Sequence, residues 1–175
     1  MKTSELAEGL KGSEIIKIAG EVNALKAQGE IIYKQTIGDF DSSIFPIPDA
    51  LKQEIVQAYH DDHTNYPQAN GMESLRQTVS AYVSKHLGLD YETNEILISG
   101  GARPLIYAVY QTILDVNDTV LYPVPSWNND AYTYLARNQA VILETLPENK
   151  FMPTADDLRP HIQKVNLIAL CSPLN

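Results

Sequence analysis

Ser99-Gly100-Gly101-Ala102-Arg103 holds residue types that let a backbone approach an anion. Two adjacent glycines allow a tight turn and a close approach to a ligand. If a helix starts there, the N–H groups of Gly101, Ala102 and Arg103 have no partner within it, and its dipole favours negative charge. Pro104 suits a first helical turn, where its missing donor is not needed. The pattern would serve a phosphate; it equally fits a tight strand-to-helix turn with no ligand, because it is not a G-x-G-x-x-G fingerprint. Trp127, the only tryptophan, follows Pro123-Val124-Pro125-Ser126. Its indole would stack on a flat ring or pack under a loop as a core residue. The Asn175 amide, ending Ser172-Pro173-Leu174-Asn175, would donate to a ligand oxygen or close an Asx-type turn. Tyr66, in Thr64-Asn65-Tyr66-Pro67, offers a phenol to an anion or a partner chain, or is plain surface. Gly38, before Asp39-Phe40, is a turn glycine or a point of close approach to a substrate.

Other chemistries find little support. His60 and His63 lie beside Asp61 and Asp62, but this spacing is a weak metal signal and no metal is expected. No HExxH, CxxC or nucleophile elbow occurs. Lys and Arg total 13 against 22 Asp and Glu, a formal charge of −9, which argues against a nucleic-acid partner. Cys171 is the only cysteine, so no internal disulfide forms and a reducing, cytoplasmic location is expected. Charged residues from Lys2 to Lys17 interrupt any signal-peptide core, and no run is long enough to span a membrane.

These residues need elements to position them. Ile15, Ile16, Ala19, Val22 and Leu25 recur at helical spacing, with Gly29 as a stop. Ile31 to Ile37 reads as a strand, and Asp39 to Pro48 as a loop. Asp49 to His60 reads as a helix, Asp61 to Asn70 as a long polar loop, and Leu75 to Leu87 as a helix closed by Gly88. Beyond Glu95, short apolar runs at Ile96 to Ile98, Val120 to Tyr122, Val141 to Leu143 and Val165 to Leu170 predict strands. Helical segments at Ala102 to Leu114, Trp127 to Asn138 and Ala155 to Ile162 separate them. This alternation predicts an α/β fold, a mostly parallel sheet with helices on both faces. Ligands of such sheets sit beyond the carboxyl ends of the strands, where Ser99 to Arg103, Pro123 to Trp127 and Ser172 to Asn175 fall. The chain stops just after its last apolar run, so the fold is expected to be incomplete at the C-terminus.

The order of these motifs resembles the N-terminal part of the fold type I pyridoxal-phosphate aminotransferases, the aspartate-aminotransferase-like class I and II family. The resemblance runs from about Ile31 to Asn175. Thr36-Ile37-Gly38-Asp39-Phe40 is similar to the family's first substrate loop. Thr64-Asn65-Tyr66-Pro67-Gln68-Ala69-Asn70-Gly71 resembles its Y-x-x-x-x-G segment, whose tyrosine reaches the cofactor phosphate of the other subunit. Ser99 to Arg103 resembles the phosphate cup, and Pro125-Ser126-Trp127 the segment whose aromatic stacks on the pyridine ring. Ser172-Pro173-Leu174-Asn175 resembles the start of S-P-x-N-P-T-G, whose asparagine bonds the ring's phenolic oxygen. Where the cup often continues with Gln or Glu and Ala, Pro104-Leu105 stand here, so the resemblance carries the backbone amides and not an Arg103 side-chain role.

The resemblance implies pyridoxal 5′-phosphate as cofactor and, in an intact parent, amino-group transfer between an amino acid and a 2-oxo acid. Gly101, Ala102, Arg103, Trp127 and Asn175 would bind the cofactor, with Tyr66 supplied by the partner subunit of a homodimer. Gly38 would face the substrate. The catalytic residue is not identified; the Schiff-base lysine is expected beyond Asn175, so the chain alone is expected to be inactive. Residues 1–45 would belong partly to the small domain and 46–175 to the N-terminal part of the large cofactor domain. The alternatives are another fold type I reaction, a β-lyase or decarboxylase, or a non-catalytic α/β binding module.

Overall fold

The computed structural model describes residues 2–33, 35 and 38–173, and the chain divides into two compact units. Gly12–Ile98 form one; Met1–Lys11 join Ser99–Asn175 in the other.

The Gly12–Ile98 unit is helical. Helix α2 (Glu14–Ala27) follows the short α1 (Glu5–Glu8) of the other unit and ends before Gly29, whose φ is +94°. Asp49–His60 form α3, with the predicted bounds. Helix α4 (Glu73–Leu87) ends at Gly88, which takes a left-handed φ of +66° and donates its N–H to the Ser84 carbonyl. That stop is the glycine C-cap the sequence predicts. Side chains then draw the following segment back along α4: Ser80 Oγ donates to the Tyr91 carbonyl at 2.7 Å and Ser84 Oγ to Asp90 Oδ1 at 2.6 Å. A 3₁₀ turn at Thr93–Glu95 carries reciprocal caps between Glu92 and Glu95.

Two predicted strands are not found in this unit. The described residues of 31–37 are irregular, and Lys34, Thr36 and Ile37 lie outside the described residues. Ile96 to Ile98 are not paired in a ladder either. The Ile98 N–H donates to the Asn70 carbonyl at 3.1 Å, a loop rather than a strand partner.

The other unit carries the sheet. Helix α5 (Ala102–Ile113) leads to β1 (Thr119–Val124), α6 (Asn129–Leu135), β2 (Gln139–Glu144), α7 (Ala155–Leu158) and β3 (Leu167–Ile168). All pairings are parallel in the order β2-β1-β3, with Leu121 opposite Val141 on one side and Ile168 on the other. This is an α/β unit with a parallel sheet, as the alternation of apolar runs implies. β1 is central and its Val120 and Leu121 are fully buried. Val120 and Tyr122 pack on one face with Tyr110 of α5 and with Tyr132 and Ala136 beside the sheet. The Tyr110 and Tyr132 rings meet at 5.8 Å and 50°, a tilted aromatic contact.

Two helices are shorter than predicted. Asn128 has a left-handed φ of +61°, so α6 starts at Asn129 and leaves Trp127 in a loop. α7 stops at Leu158: Arg159 still has helical angles (φ −50°, ψ −41°), but Pro160 after it has no N–H with which to continue the ladder. β3 keeps only two ladder residues, although hydrogen bonds from the Asn166 and Ala169 N–H groups extend its alignment with β1.

Candidate active site

The turn into α5 has the backbone that the glycine pair requires. Gly101 caps the helix at φ +137° and ψ 162°, a region essentially closed to residues with a Cβ. No side chain caps the helix, and no described residue accepts a hydrogen bond from the N–H of Gly101, Ala102 or Arg103. Among the described residues these three donors at a helix N-terminus have no partner, an arrangement suited to an anion.

Trp127 is brought to the same place. The Arg103 guanidinium carbon lies 5.9 Å from the centre of the Trp127 ring, within cation–π range. Both side chains line a cleft of about 520 Å³, together with Ala102, Ile106, Tyr110 and Cys171. Trp127 is half-buried, neither enclosed in the core nor free of it. Cys171 is half-buried and its Sγ donates to the Pro173 carbonyl at 3.3 Å.

A polar chain under the cleft fixes the tryptophan loop. Tyr110 Oη donates to Asn129 Oδ1 at 3.4 Å, and Asn129 Nδ2 donates to Ser126 Oγ at 3.3 Å. Thr133 Oγ1 donates to the Asn129 carbonyl at 2.7 Å. Asn129 and Thr133 are buried, so these bonds meet groups that water does not reach. Burial raises the Tyr110 phenol above its usual 10.0, which keeps it protonated and able to donate. Sequence reasoning missed Asn129. The available signal was Asn128-Asn129 itself, a pair suited to a left-handed turn followed by a helix start.

Of the remaining candidates, Tyr66 and Gly38 belong to the Gly12–Ile98 unit and both are exposed, Tyr66 fully so. Asn175 lies outside the described residues, while Ser172 and Pro173 are described. Among the described residues, no three His, Cys, Asp or Glu side chains converge on a point that could hold a metal ion. No described helix is long and apolar enough to cross a membrane.

Known proteins resemble this chain in sequence and fold. The family described as aminotransferase class I and II matches residues 36–175. The chain is 28% identical, over 177 aligned positions, to the aspartate aminotransferase of Geobacillus stearothermophilus, covering 100% of this chain and 44% of that protein. It is 27% identical to the aspartate aminotransferase of Bacillus subtilis, with the same coverage. The aspartate aminotransferase of Thermus thermophilus, solved with maleate, superposes with a TM-score of 0.89 at 25% identity, covering 100% of this chain and 46% of that one. The chain thus spans under half the length of these relatives. With the family match spanning most of its length, the chain belongs to the class I and II aminotransferases.

Proposed function

We propose that this chain is the cofactor-side part of an enzyme that moves an amino group between an amino acid and a 2-oxo acid, using pyridoxal 5′-phosphate. One observation carries the reading: the start of α5 holds three N–H groups without a partner among the described residues, and its Ala102 and Arg103 line a cleft with Trp127. Such a donor set beside an aromatic face and largely apolar walls suits a flat ring bearing a phosphate. When bound, the cofactor supplies an electron sink for the substrate's Cα.

The residues would divide the work as follows. The Gly101, Ala102 and Arg103 amides hold the phosphate, and the indole of Trp127 sets the plane of the ring. The Tyr110–Asn129–Ser126 bonds hold the Trp127 loop in place. Asn175 donates its amide to the ring's phenolic oxygen, and Gly38 leaves room for the substrate. Tyr66 gives its phenol to the phosphate held by the neighbouring subunit of a homodimer. The lysine that carries the substrate proton belongs to the sequence after Asn175. In the same reading, residues 1–45 contribute partly to a small domain and 46–175 to the large one. The lone Cys171 supports a reducing, cytoplasmic setting.

The test uses the full-length protein, titrated with pyridoxal 5′-phosphate and assayed with a panel of amino acids and 2-oxoglutarate. Saturable cofactor binding and turnover above the free-cofactor background are expected. A folded protein that neither binds the cofactor nor turns over any amino acid would refute the reading. For the dimer, Tyr66→Phe subunits mixed with subunits lacking the catalytic lysine should recover part of the activity. A strictly monomeric, fully active protein would exclude shared sites.

A further inference from the structure

Arg76 is the one buried charged side chain among the described residues of the core, 8% exposed on a helix whose other face is open to water. It forms no ion pair with a described residue. Its guanidinium meets backbone instead: Nε donates to the Gly71 carbonyl at 3.2 Å and Nη1 to the Thr93 carbonyl at 2.8 Å. A buried cation needs such partners, and the planar fork of arginine reaches two acceptors that a lysine cannot span.

The two acceptors belong to separate stretches of chain. Gly71 ends the loop that carries Tyr66; Thr93 opens the segment that runs to Ile98. A second link joins the same stretches, since the Ile98 N–H donates to the Asn70 carbonyl at 3.1 Å. Gly71 also sits close against the Ile98 side chain. Gly71 has a φ of +97°, and a Cβ there would lie 2.5 Å from the Ile98 Cβ, so no other residue fits. Tyr66 itself is fully exposed, so its position depends on how the loop is anchored. The loop is anchored at both ends: Asp61, Asp62 and His63 donate their N–H groups back to α3, and at the Gly71 end Arg76 makes the only side-chain hydrogen bond among the described residues.

We propose that Arg76 is a positioning residue for Tyr66, clamping the Gly71 end of the tyrosine loop to the Thr93–Ile98 segment and so setting where the phenol is presented. The inference rests on the reading that Tyr66 serves the cofactor phosphate. The test measures the Kd of pyridoxal 5′-phosphate for the full-length protein and its Tyr66→Phe, Arg76→Lys and doubly substituted forms. Arg76→Lys is chosen over Arg76→Ala because it keeps the buried charge and removes the fork. Tyr66→Phe should weaken binding about tenfold, as expected for losing a hydrogen bond to a charged group. Arg76→Lys should weaken it several-fold with Tyr66 present and not at all in the Tyr66→Phe background. Additive effects, no effect of Arg76→Lys on Kd, or failure of Arg76→Lys to fold would each overturn the positioning role while leaving Tyr66 in place. An unchanged Kd for Tyr66→Phe would overturn the Tyr66 assignment itself, and the clamp's role with it.

Discussion

Replacing Gly101 by alanine separates backbone strain from crowding. A Cβ at Gly101 would have only Pro104 Cδ within 4 Å, at an ordinary contact distance of 3.9 Å. Nothing collides, so the cost comes from φ +137° alone. Holding a residue with a Cβ in that region costs about 1–3 kcal/mol. Alanine also stiffens the unfolded chain, which offsets about 0.4–1 kcal/mol. The midpoints leave a net loss of about 1.3 kcal/mol, a factor of roughly 10. If the turn keeps its shape, this loss appears as a melting temperature lowered by several degrees. If the peptide rotates to relieve strain, the N–H groups of Gly101 and Ala102 swing away and the same loss appears as weaker binding of pyridoxal 5′-phosphate. Thermal melts and cofactor titration of the full-length protein read both channels. Gly100 is the control, since it has no positive φ and open space around its Cα; Gly100→Ala should stay within about 0.5 kcal/mol of wild type. A Gly101→Ala protein that matches wild type in both melting and binding would show that the turn is not strained as described and that the cup reading lacks its basis.

Other outcomes follow from the same geometry. Trp127→Ala should fold, because Trp127 is only half-buried, but should bind pyridoxal 5′-phosphate more weakly; an unfolded variant would mean the indole serves the core. Tyr134 Oη donates to the Leu6 and Glu5 carbonyls, and a Cβ on Gly9 would collide with that hydroxyl. Tyr134→Phe and Gly9→Ala should each speed protease cleavage within the first eleven residues, and unchanged cleavage would show that the contact does not hold the segment. Burial raises the Tyr110 and Tyr122 phenols above their usual 10.0. Their stabilisation is therefore complete below pH 10 and lost as pH rises from there towards their folded-state values, where only the unfolded chain ionises freely. Denaturation curves across that range should show falling stability, and Tyr110→Phe should flatten the fall; an unaltered slope would exclude Tyr110 as its source.

Legibility in the sequence tracked how local each determinant is. α3 and α4 were legible because their apolar spacing and the Gly88 stop lie within the elements themselves. β1 was legible because Val120 to Tyr122 are apolar on both faces, as a central parallel strand requires. Ile96 to Ile98 are likewise an apolar run, yet pairing needs a neighbour strand, and Ile98 is bonded to the Asn70 loop instead. The end of α7 was legible in Pro160 but was set too late. In the site, the glycine pair and Trp127 announced themselves by residue type. Arg76 did not: its partners lie five residues before and seventeen after it, a spacing no helix or strand period reveals. Asn129 was hidden in a stretch whose aromatic residues read as helix throughout.

The pairing of Tyr134 with Leu6 joins residues 128 positions apart, within a unit whose middle is filled by a separate unit of contiguous sequence. That layout has a consequence for biosynthesis. On the ribosome, Gly12–Ile98 can emerge whole and fold before its neighbour is complete, since none of its internal partners is still unmade. The first eleven residues cannot settle on the same schedule; their docking surface on α6 leaves the exit tunnel much later. Until then this segment stays undocked and open to proteases. Nascent chains arrested shortly after Ile98 has cleared the tunnel should show protected amides in α4 and none in α1. Protection of α1 at that length would mean the segment finds a different resting place first.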